Sequence, residues 1–570
     1  MFKPWERFHN WFHCVCVVTF DIELGQTIEA IYPSEDGSGD MEILTEEDKT
    51  NICYLAFPDS NSSCIGDTNF FIRIRRTTPM QLTDFQTWYN ARSPVNLQAS
   101  SDYFYGFVHF RQVKDDTLPR GYFQKSIVLL SPMPFVSLFS DVCSIIAQEV
   151  FDKDFSVLTK ACKEIDLWTQ PRPLSKIKET VTLPLLGTSL RVDIPHETRR
   201  FLTHYILNDP SRGIQSSLQC SKFEMDAFQK FSSLLSHVQL LWELVLTCEP
   251  IIVMTSSPVI CSQMVYFLVS LINPLIYFAE YRPYFTIHDS DFKDYTSKTN
   301  TVPPAILGVT NPFFTKTLQH WPHIINLDKD VAGHSNKLKK YTSNKLMDST
   351  PGFYTQYKPL LQKDKSFSKK LTKGQRPPQA QMTMFKQHIQ DLTESFLHPL
   401  ERYIQSKSMP LMKDINPFKS PRPNPFDQEE FLADLSKPGG LLTSKTKGDW
   451  VNLYKRFFNS PNFQGWYDQK LKDIQQKLTE LHLEKLSEED FKVWVKDKKE
   501  VELIDMIMNI QNKLKEIFSA ETNARKESVH RKLKDCICDI RNALPLDTQS
   551  FLKDMDEACR QGVVHRLDLK

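Results

Sequence analysis

A surplus of either charge is missing from this sequence: 70 lysines and arginines stand against 69 aspartates and glutamates. The resulting net charge of +1 removes any global reason to expect nucleic-acid binding. Paired cysteine spacing is missing as well. None of the twelve cysteines forms C-x-x-C, which argues against a zinc ribbon or a thioredoxin-type site. Cys14 and Cys16 alternate with Val15 and Val17, and Cys143, Cys248 and Cys261 sit in apolar surroundings, where free thiols act as small hydrophobes. A reducing compartment is expected. The apolar run Cys14–Phe20 is short, meets Asp21 and Glu23 and lacks a small-residue cleavage site, so no secretory signal is expected. The sequon Asn61-Ser62-Ser63 is then expected to stay unmodified. Pro250–Ala279 carries no charge, yet Ser256, Ser257, Pro258, Gln263, Asn273 and Pro274 would be costly in lipid. A buried strand, turn and helix is predicted there instead.

Motifs of bond chemistry are absent too. There is no G-x-x-x-x-G-K-[ST] to cradle phosphates, no G-x-G-x-x-G, no G-x-S-x-G and no H-E-x-x-H. His288-Asp289-Ser290-Asp291 follows a predicted strand, but no second histidine cluster completes a ligand set; a capped turn is expected. His320-Trp321-Pro322-His323 is interrupted by its proline, which points to packing. Ser256-Ser257-Pro258 opens a helix. A helix cap is expected there, and an anion site is the alternative. No catalytic residue, metal or cofactor is expected.

What is present is enough chain for three or four domains, with 41% hydrophobic and 24% charged residues. Runs 14–20 and 26–32 read as strands around a tight turn at Glu23-Leu24-Gly25. A helix starts at Thr45-Glu46-Glu47-Asp48, strands follow at 69–75, 103–112 and 123–131, and a helix follows Pro134. The order ββαβββα predicts an antiparallel sheet with helices packed on it. Residues 165–230 are read as the end of that module and a connection. Phe231, Leu234, Leu235, Val238, Leu241, Trp242 and Val245 predict one long helix stopped at Glu249-Pro250. Strands at 251–254, 284–287, 305–309 and 323–327 alternate with helices, which predicts a mostly parallel sheet. Residues 330–380 hold eleven lysines and arginines against three aspartates, and read as a basic loop. Pro417, Pro421, Pro423 and Pro425 mark a linker. Beyond it, 471–481 and 503–517 have helical spacing, with a capping start at Ser487-Glu488-Glu489-Asp490 between them.

One arrangement is more specific. EPIIVMTSSPVICSQMVYFLVSLINPL (249–275), YRPYFTI and PPAILGVTNPFF (303–314) together resemble the central part of DENN domains. WFHCVCVVTFDIELGQTIEAIYP, ICYLAFPDSNSSCIGDTNF and YFYGFVHFRQVKDDTLPRGYFQKSIVLLS resemble the upstream longin half. With KGDWVNLYKRFFNSPNFQGWY (447–467) the likeness extends to the DENN-domain-containing protein 6 subfamily, over roughly 11–510 and most weakly over 196–228 and 330–380.

The resemblance implies a multi-domain α/β chain. Its parts would be a longin module at 11–196 with an antiparallel sheet, a central DENN module at 218–354 with a mostly parallel sheet, a downstream helical region at 355–510, and a helical tail at 511–570. It implies guanine-nucleotide exchange on a Rab-type GTPase held between the first two modules, in a cytoplasmic protein recruited to endosomal recycling membranes. A non-catalytic trafficking scaffold and a GTPase-activating protein are the alternatives. Contact candidates are Asp59, Ser60 and Asn61 in the first module, and Thr310, Asn311, Phe313 and Phe314 in the second. Phe313 and Phe314 as core, and Asn311 as a turn cap, are the competing readings. Lys337, Lys339, Lys340, Lys369, Lys370 and Lys373 are candidates for weak contact with anionic membrane.

Overall fold

Cys14-Val15-Cys16-Val17-Val18 is apolar at every position because the strand it forms is covered on both faces. In the computed structural model, which describes residues 5–33, 44–59, 65–119, 121–173, 179–193, 205–208, 222–297, 301–327, 352–372, 376–410, 415–435, 447–518, 524–550 and 552, Val15 and Val17 enter one core and Cys14, Cys16 and Val18 the opposite one. Helix α1 (Glu6–Trp11) precedes strands β1 (Cys14–Asp21) and β2 (Gly25–Tyr32). Helix α2 (Glu46–Leu55), strand β3 (Gly66–Arg75), helix α3 (Asp84–Asn90), strands β4 (Tyr103–Lys114) and β5 (Tyr122–Ser131), and helices α4 (Val136–Asp152) and α5 (Ser156–Asp166) follow. The five strands form an antiparallel sheet in the order β2-β1-β5-β4-β3. One face packs on α1, α4 and α5, the other on α2. Helix α2 starts as read: Thr45 accepts from Asp48 N, and the Asp48 carboxylate accepts from Thr45 N.

Residues 165–230 hold more structure than the sequence disclosed. Strands β6 (Thr180–Leu185), β7 (Thr188–Asp193) and β8 (Tyr205–Asn208) form an antiparallel sheet. The β6–β7 turn places Leu186 at φ 48° and Gly187 at φ 83°. Two positive φ angles suit a tight hairpin, but a leucine in the first position hides the signal that Asn-Gly would give. The single helix predicted from Phe231 is also corrected. Helix α6 (Lys222–Phe231) and helix α7 (Val238–Leu246) are separated by a 3₁₀ segment at Ser232–His237. The 3₁₀ geometry tightens the turn there.

The second sheet comprises β9 (Ile251–Met254), helix α8 (Pro258–Ser270), β10 (Glu280–Phe285), helix α9 (Phe292–Thr296), β11 (Ala305–Val309), helix α10 (Phe314–Thr317), β12 (His323–Asn326) and β13 (Gly352–Thr355). Its order is β10-β11-β9-β12-β13. The first four strands are parallel and β13 is antiparallel. Ser257 caps α8 by accepting from Ile260 N at 3.5 Å, with Pro258 at the first helical position. The spacing between α8 and its sheet is set by Gly308. A Cβ there would stand 2.4 Å from Pro283 O and 2.6 Å from Cys261 Sγ.

Helix α11 (Lys365–Thr372) gives the basic segment more order than a loop, with Phe367 and Leu371 buried. Helix α12 (Pro378–Lys407) follows, then α13 (Gln428–Leu435), α14 (Trp450–Phe458), α15 (Pro461–Leu486), α16 (Phe491–Trp494), α17 (Glu500–Phe518) and α18 (Ala524–Asn542). The helix start near Ser487 falls on Asp490, whose carboxylate accepts from Lys492 N. Two compact units divide the chain: Met1–Ser395 with Ser444–Gln464, and Phe396–Thr443 with Gly465–Lys570. In the second, Leu503, Ile507, Ile510, Leu533 and Ile540 share one core. No helix among the described residues is long and apolar enough to cross a membrane.

Candidate functional site

The two large sheets of the first unit meet at edge strand β3. Arg73, on β3, donates to Glu280 Oε1 at 2.7 Å and to Tyr281 O at 3.3 Å. Its guanidinium carbon lies 3.5 Å from the centroid of Tyr103 and 4.2 Å from that of Tyr281. The Tyr103 hydroxyl donates to Glu280 Oε2 at 2.6 Å. Arg282, buried, donates back to Arg73 O at 3.2 Å and pairs with Asp291. Burial pushes the nearby Asp289 carboxyl up from its usual range, and Arg282 opposes that shift. The charges are thus shared among close partners, as their burial requires.

Further along this joint, Tyr284 sits in the core cluster of the N-terminal sheet, its ring 5.0 Å from Phe70. Arg73 meets Tyr281 where Phe70 meets Tyr284, so β10 runs antiparallel to β3. The carboxyl ends of the parallel strands therefore point the same way as the β1–β2 and β4–β5 hairpin tips and the start of β3, which are aligned by the pairs Asp21↔Gly25, Lys114↔Tyr122 and Gly66↔Gln112.

That shared end is where apolar side chains reach solvent. Among the described residues of the first unit, twelve large hydrophobic side chains are exposed. Nine of them lie here: Ile22, Leu24, Tyr54, Ile65, Val113, Leu118, Tyr122, Ile287 and Phe313. Nine of twelve at one end is a concentrated apolar face, the kind that marks a docking surface rather than scattered exposure. Tyr54 of α2 stacks on His288 at 4.5 Å, and Asp59 N donates to the Tyr284 hydroxyl at 2.6 Å, so the two sheets touch at this end. Burial pushes the Tyr284 phenol well above its usual pKa, keeping it protonated. Thr310 Oγ1 is buried beside that hydroxyl.

The residues singled out by sequence divide clearly. Asp59, Thr310, Asn311 and Phe313 lie at this end; Asn311 Oδ1 accepts from Phe313 N at 2.9 Å, so it also caps its turn. Phe313 is half exposed, whereas Phe314 is fully buried with Phe285 and Trp321 and presents no surface. Ser60 and Asn61 lie outside the described residues, as do Lys337, Lys339, Lys340 and Lys373. Lys369 and Lys370 are exposed on α11. Sequence reasoning passed over Tyr54, Ile287 and the hairpin tips, and read His288 only as part of a capped turn. Apolar Ile22 and Leu24 inside the turn that follows Asp21 were the legible signal. Among the described residues, no group of three or more histidine, cysteine or acidic side chains is placed to hold a metal.

Comparison with known proteins divides along the same lines. Residues 12–203 match the family described as transport protein Avl9, 226–335 match stabilization of polarity axis, and 491–555 match the DENND6 C-terminal domain. Protein DENND6A of Gallus gallus is 45% identical over 561 residues, which is 96% of this chain and 94% of that protein. The chain belongs to the DENND6 family. Protein DENND6B of Homo sapiens is 43% identical over 567 residues, covering 96% of this chain and 94% of its own length. The DENND6 homolog of Dictyostelium discoideum is 31% identical over 581 residues, 89% of this chain and 77% of that protein. The match 12–203 takes in all of the first sheet, and 226–335 takes in β9 to β12 of the second.

Proposed function

We propose that this DENND6-family chain is a guanine-nucleotide exchange factor for a Rab-type GTPase in membrane traffic. In this reading the N-terminal sheet with its helices is a longin module and the second sheet the central DENN module. The observation that carries the proposal is the apolar face formed jointly by their strand ends. It offers turns from both modules to one partner. Tyr54, Asp59, Ile287, Thr310 and Phe313 would contact the GTPase, and Tyr284 would hold the turns in register.

Exchange breaks no covalent bond, so the chain needs no nucleophile, general base or metal of its own. It needs a surface that fits the nucleotide-free GTPase better than the loaded one. An acceleration of roughly 10³–10⁵ corresponds to ~4–7 kcal/mol, supplied by contacts strengthened as the nucleotide leaves. Linkage makes this reciprocal: the factor by which the exchanger weakens nucleotide binding is the factor by which nucleotide weakens the exchanger. The experiment is an exchange screen over Rab GTPases, with titration of the best substrate in its GDP, GTP and empty forms. Tightest binding to the empty form, with accelerated GDP release, is expected. Equal affinity for all three forms would reject exchange and leave the scaffold reading.

Recruitment would be peripheral, to endosomal recycling membranes, with the lipidated GTPase as the main anchor. The basic stretch 330–380 would add weak attraction to anionic lipid, up to about 1 kcal/mol per basic residue at the surface. Charge reversal of its six candidate lysines should reduce liposome co-sedimentation at low salt.

A further inference from the structure

Helix α11 divides its described side chains into two stripes. Phe367 and Leu371 are buried, and the Phe367 ring stacks on His388 of α12 at 3.5 Å. Ser366, Lys369 and Lys370 are exposed, and spacings of three and four residues set them side by side on the solvent stripe. Lys363 and Lys365, also exposed, precede the serine. The helix start is fixed by Asp364. Its Oδ1 accepts from Ser366 N at 2.9 Å and from Phe367 N at 3.0 Å, and its own N–H donates to Gln239 Oε1 of α7 at 3.1 Å. The Ser366 hydroxyl also reaches this carboxylate, at the surface, where water replaces the bond at little cost.

Ser366 is thus an exposed hydroxyl ringed by cations. Lysines stand three and one residues before it and three and four residues after it, with apolar Phe367 next to it. An acidic substrate cleft complements that pattern, and charge of the opposite sign draws such a partner in. Helix α11 has 8 residues, too few to persist without the packing of Phe367 and Leu371. Local opening of so short an element costs little, and it offers the serine to a kinase in extended form.

We propose that Ser366 is a phosphorylation site for a basic-directed serine kinase, and that its phosphate weakens the attraction of this stretch to anionic membrane. The second half rests on the reading of the basic stretch given above. In the transfer, Ser366 Oγ forms a bond to the γ-phosphorus of ATP, the bond from that phosphorus to its bridging oxygen breaks, ADP leaves, and the hydroxyl proton passes to the kinase's base. Across 363–370 four lysines stand against Asp364 alone. A phosphoserine brings about −1.5 to −2 charges, so one modification removes roughly half of that surplus or more.

The test treats the full chain with ATP and protein kinase C, maps the product by mass spectrometry, and measures co-sedimentation at low salt with phosphatidylcholine vesicles, with and without phosphatidylserine. Phosphate should appear on Ser366, and affinity for the phosphatidylserine vesicles should fall roughly 10- to 30-fold, as expected for losing about two charges near an anionic surface. Ser366→Ala, a change at an exposed position, should bind vesicles as the wild type does and be indifferent to the kinase. A triple variant, Lys365→Gln, Lys369→Gln and Lys370→Gln, should bind vesicles weakly before any treatment. No phosphate on Ser366 would overturn the proposal. Phosphorylated wild type that keeps its vesicle affinity, beside a triple variant that loses it, would overturn the switch and leave the basic-stretch reading standing. A triple variant with wild-type vesicle affinity would overturn both.

Discussion

Gly308 shows how one missing methyl group fixes the spacing between a sheet and its helix. Its absent Cβ would press on Pro283 O, a backbone atom of the neighbouring strand, as well as on Cys261 Sγ and Val265. Neither a strand nor a buried helix shifts cheaply in a close-packed interior. Gly308→Ala should therefore destabilise the chain by about 3 kcal/mol, read as an earlier urea midpoint with an unchanged slope. His237 makes a different demand. Burial, assisted by Lys363, lowers its pKa to about 4, whereas the ordinary value is 6.5. The unfolded state binds the proton first as pH falls, so stability is complete above about pH 6.5 and drains away toward pH 4. His482 in the second unit behaves alike, through burial and Lys513. Melting temperatures measured from pH 7 to pH 4 should fall, and His237→Gln should make the fall shallower. A parallel curve for that variant would assign the loss elsewhere.

At the scale of elements, the joint between β3 and β10 replaces the hydrogen-bond ladder that an edge strand would otherwise leave open. Arg73 bonds Glu280 and lies against two tyrosine rings, so truncating it leaves that half-buried carboxylate to Arg282 and Tyr103 alone. Arg73→Ala should cost about 1–3 kcal/mol, the range for removing a hydrogen bond to a charged group; a loss below about 0.5 kcal/mol by denaturant titration would show that Arg282 and Tyr103 suffice to hold Glu280. Strand β10 was read at 284–287 and lies at Glu280–Phe285, but the inner strands of each sheet were legible because their chemistry is simple. Continuous apolar runs at 14–18 and 251–254 meant coverage on two faces, and both are buried throughout. Arg73 and Arg282 were not legible, since alternation of charge with apolar residues reads as a solvent-facing side. Here that side faces another sheet. The hairpin β6–β7 escaped notice through Leu186, whose left-handed backbone no propensity rule anticipates. Among the site candidates, the turn after β11 was found by position alone. Exposure, which separates Phe313 from Phe314, needed the coordinates. A double charge substitution, Ile287→Asp with Phe313→Asp, should weaken binding to the GTPase by at least tenfold while moving the melting temperature little, because both side chains already face water.

For the whole molecule, the consequence is interdependence. Tyr284 belongs by sequence to the second sheet and by packing to the core of the first, and α8 contacts β3 as well as β10 and β11. Separated fragments 1–217 and 218–570 would each expose that shared core. Neither fragment should accelerate GDP release, and mixing or co-expressing them should restore activity in part. A typical stable interface buries ~1,600 Å² in total, which also favours a partner gripped by both halves. Full exchange by 218–570 alone would refute this arrangement.

Ile22, Leu24, Ile65, Leu118, Ile287 and Phe313 all lie beyond the ends of the strands that carry them. None contributes to strand pairing, and none lies in a core. Their identities are therefore free to drift without disturbing register, so a lineage of such chains can exchange one partner for another while its buried framework stays constant. Transplanting the tips at 22–24, 115–119 and 286–288 between two relatives would move partner choice as a cassette, with the donor's preference appearing on the recipient's scaffold.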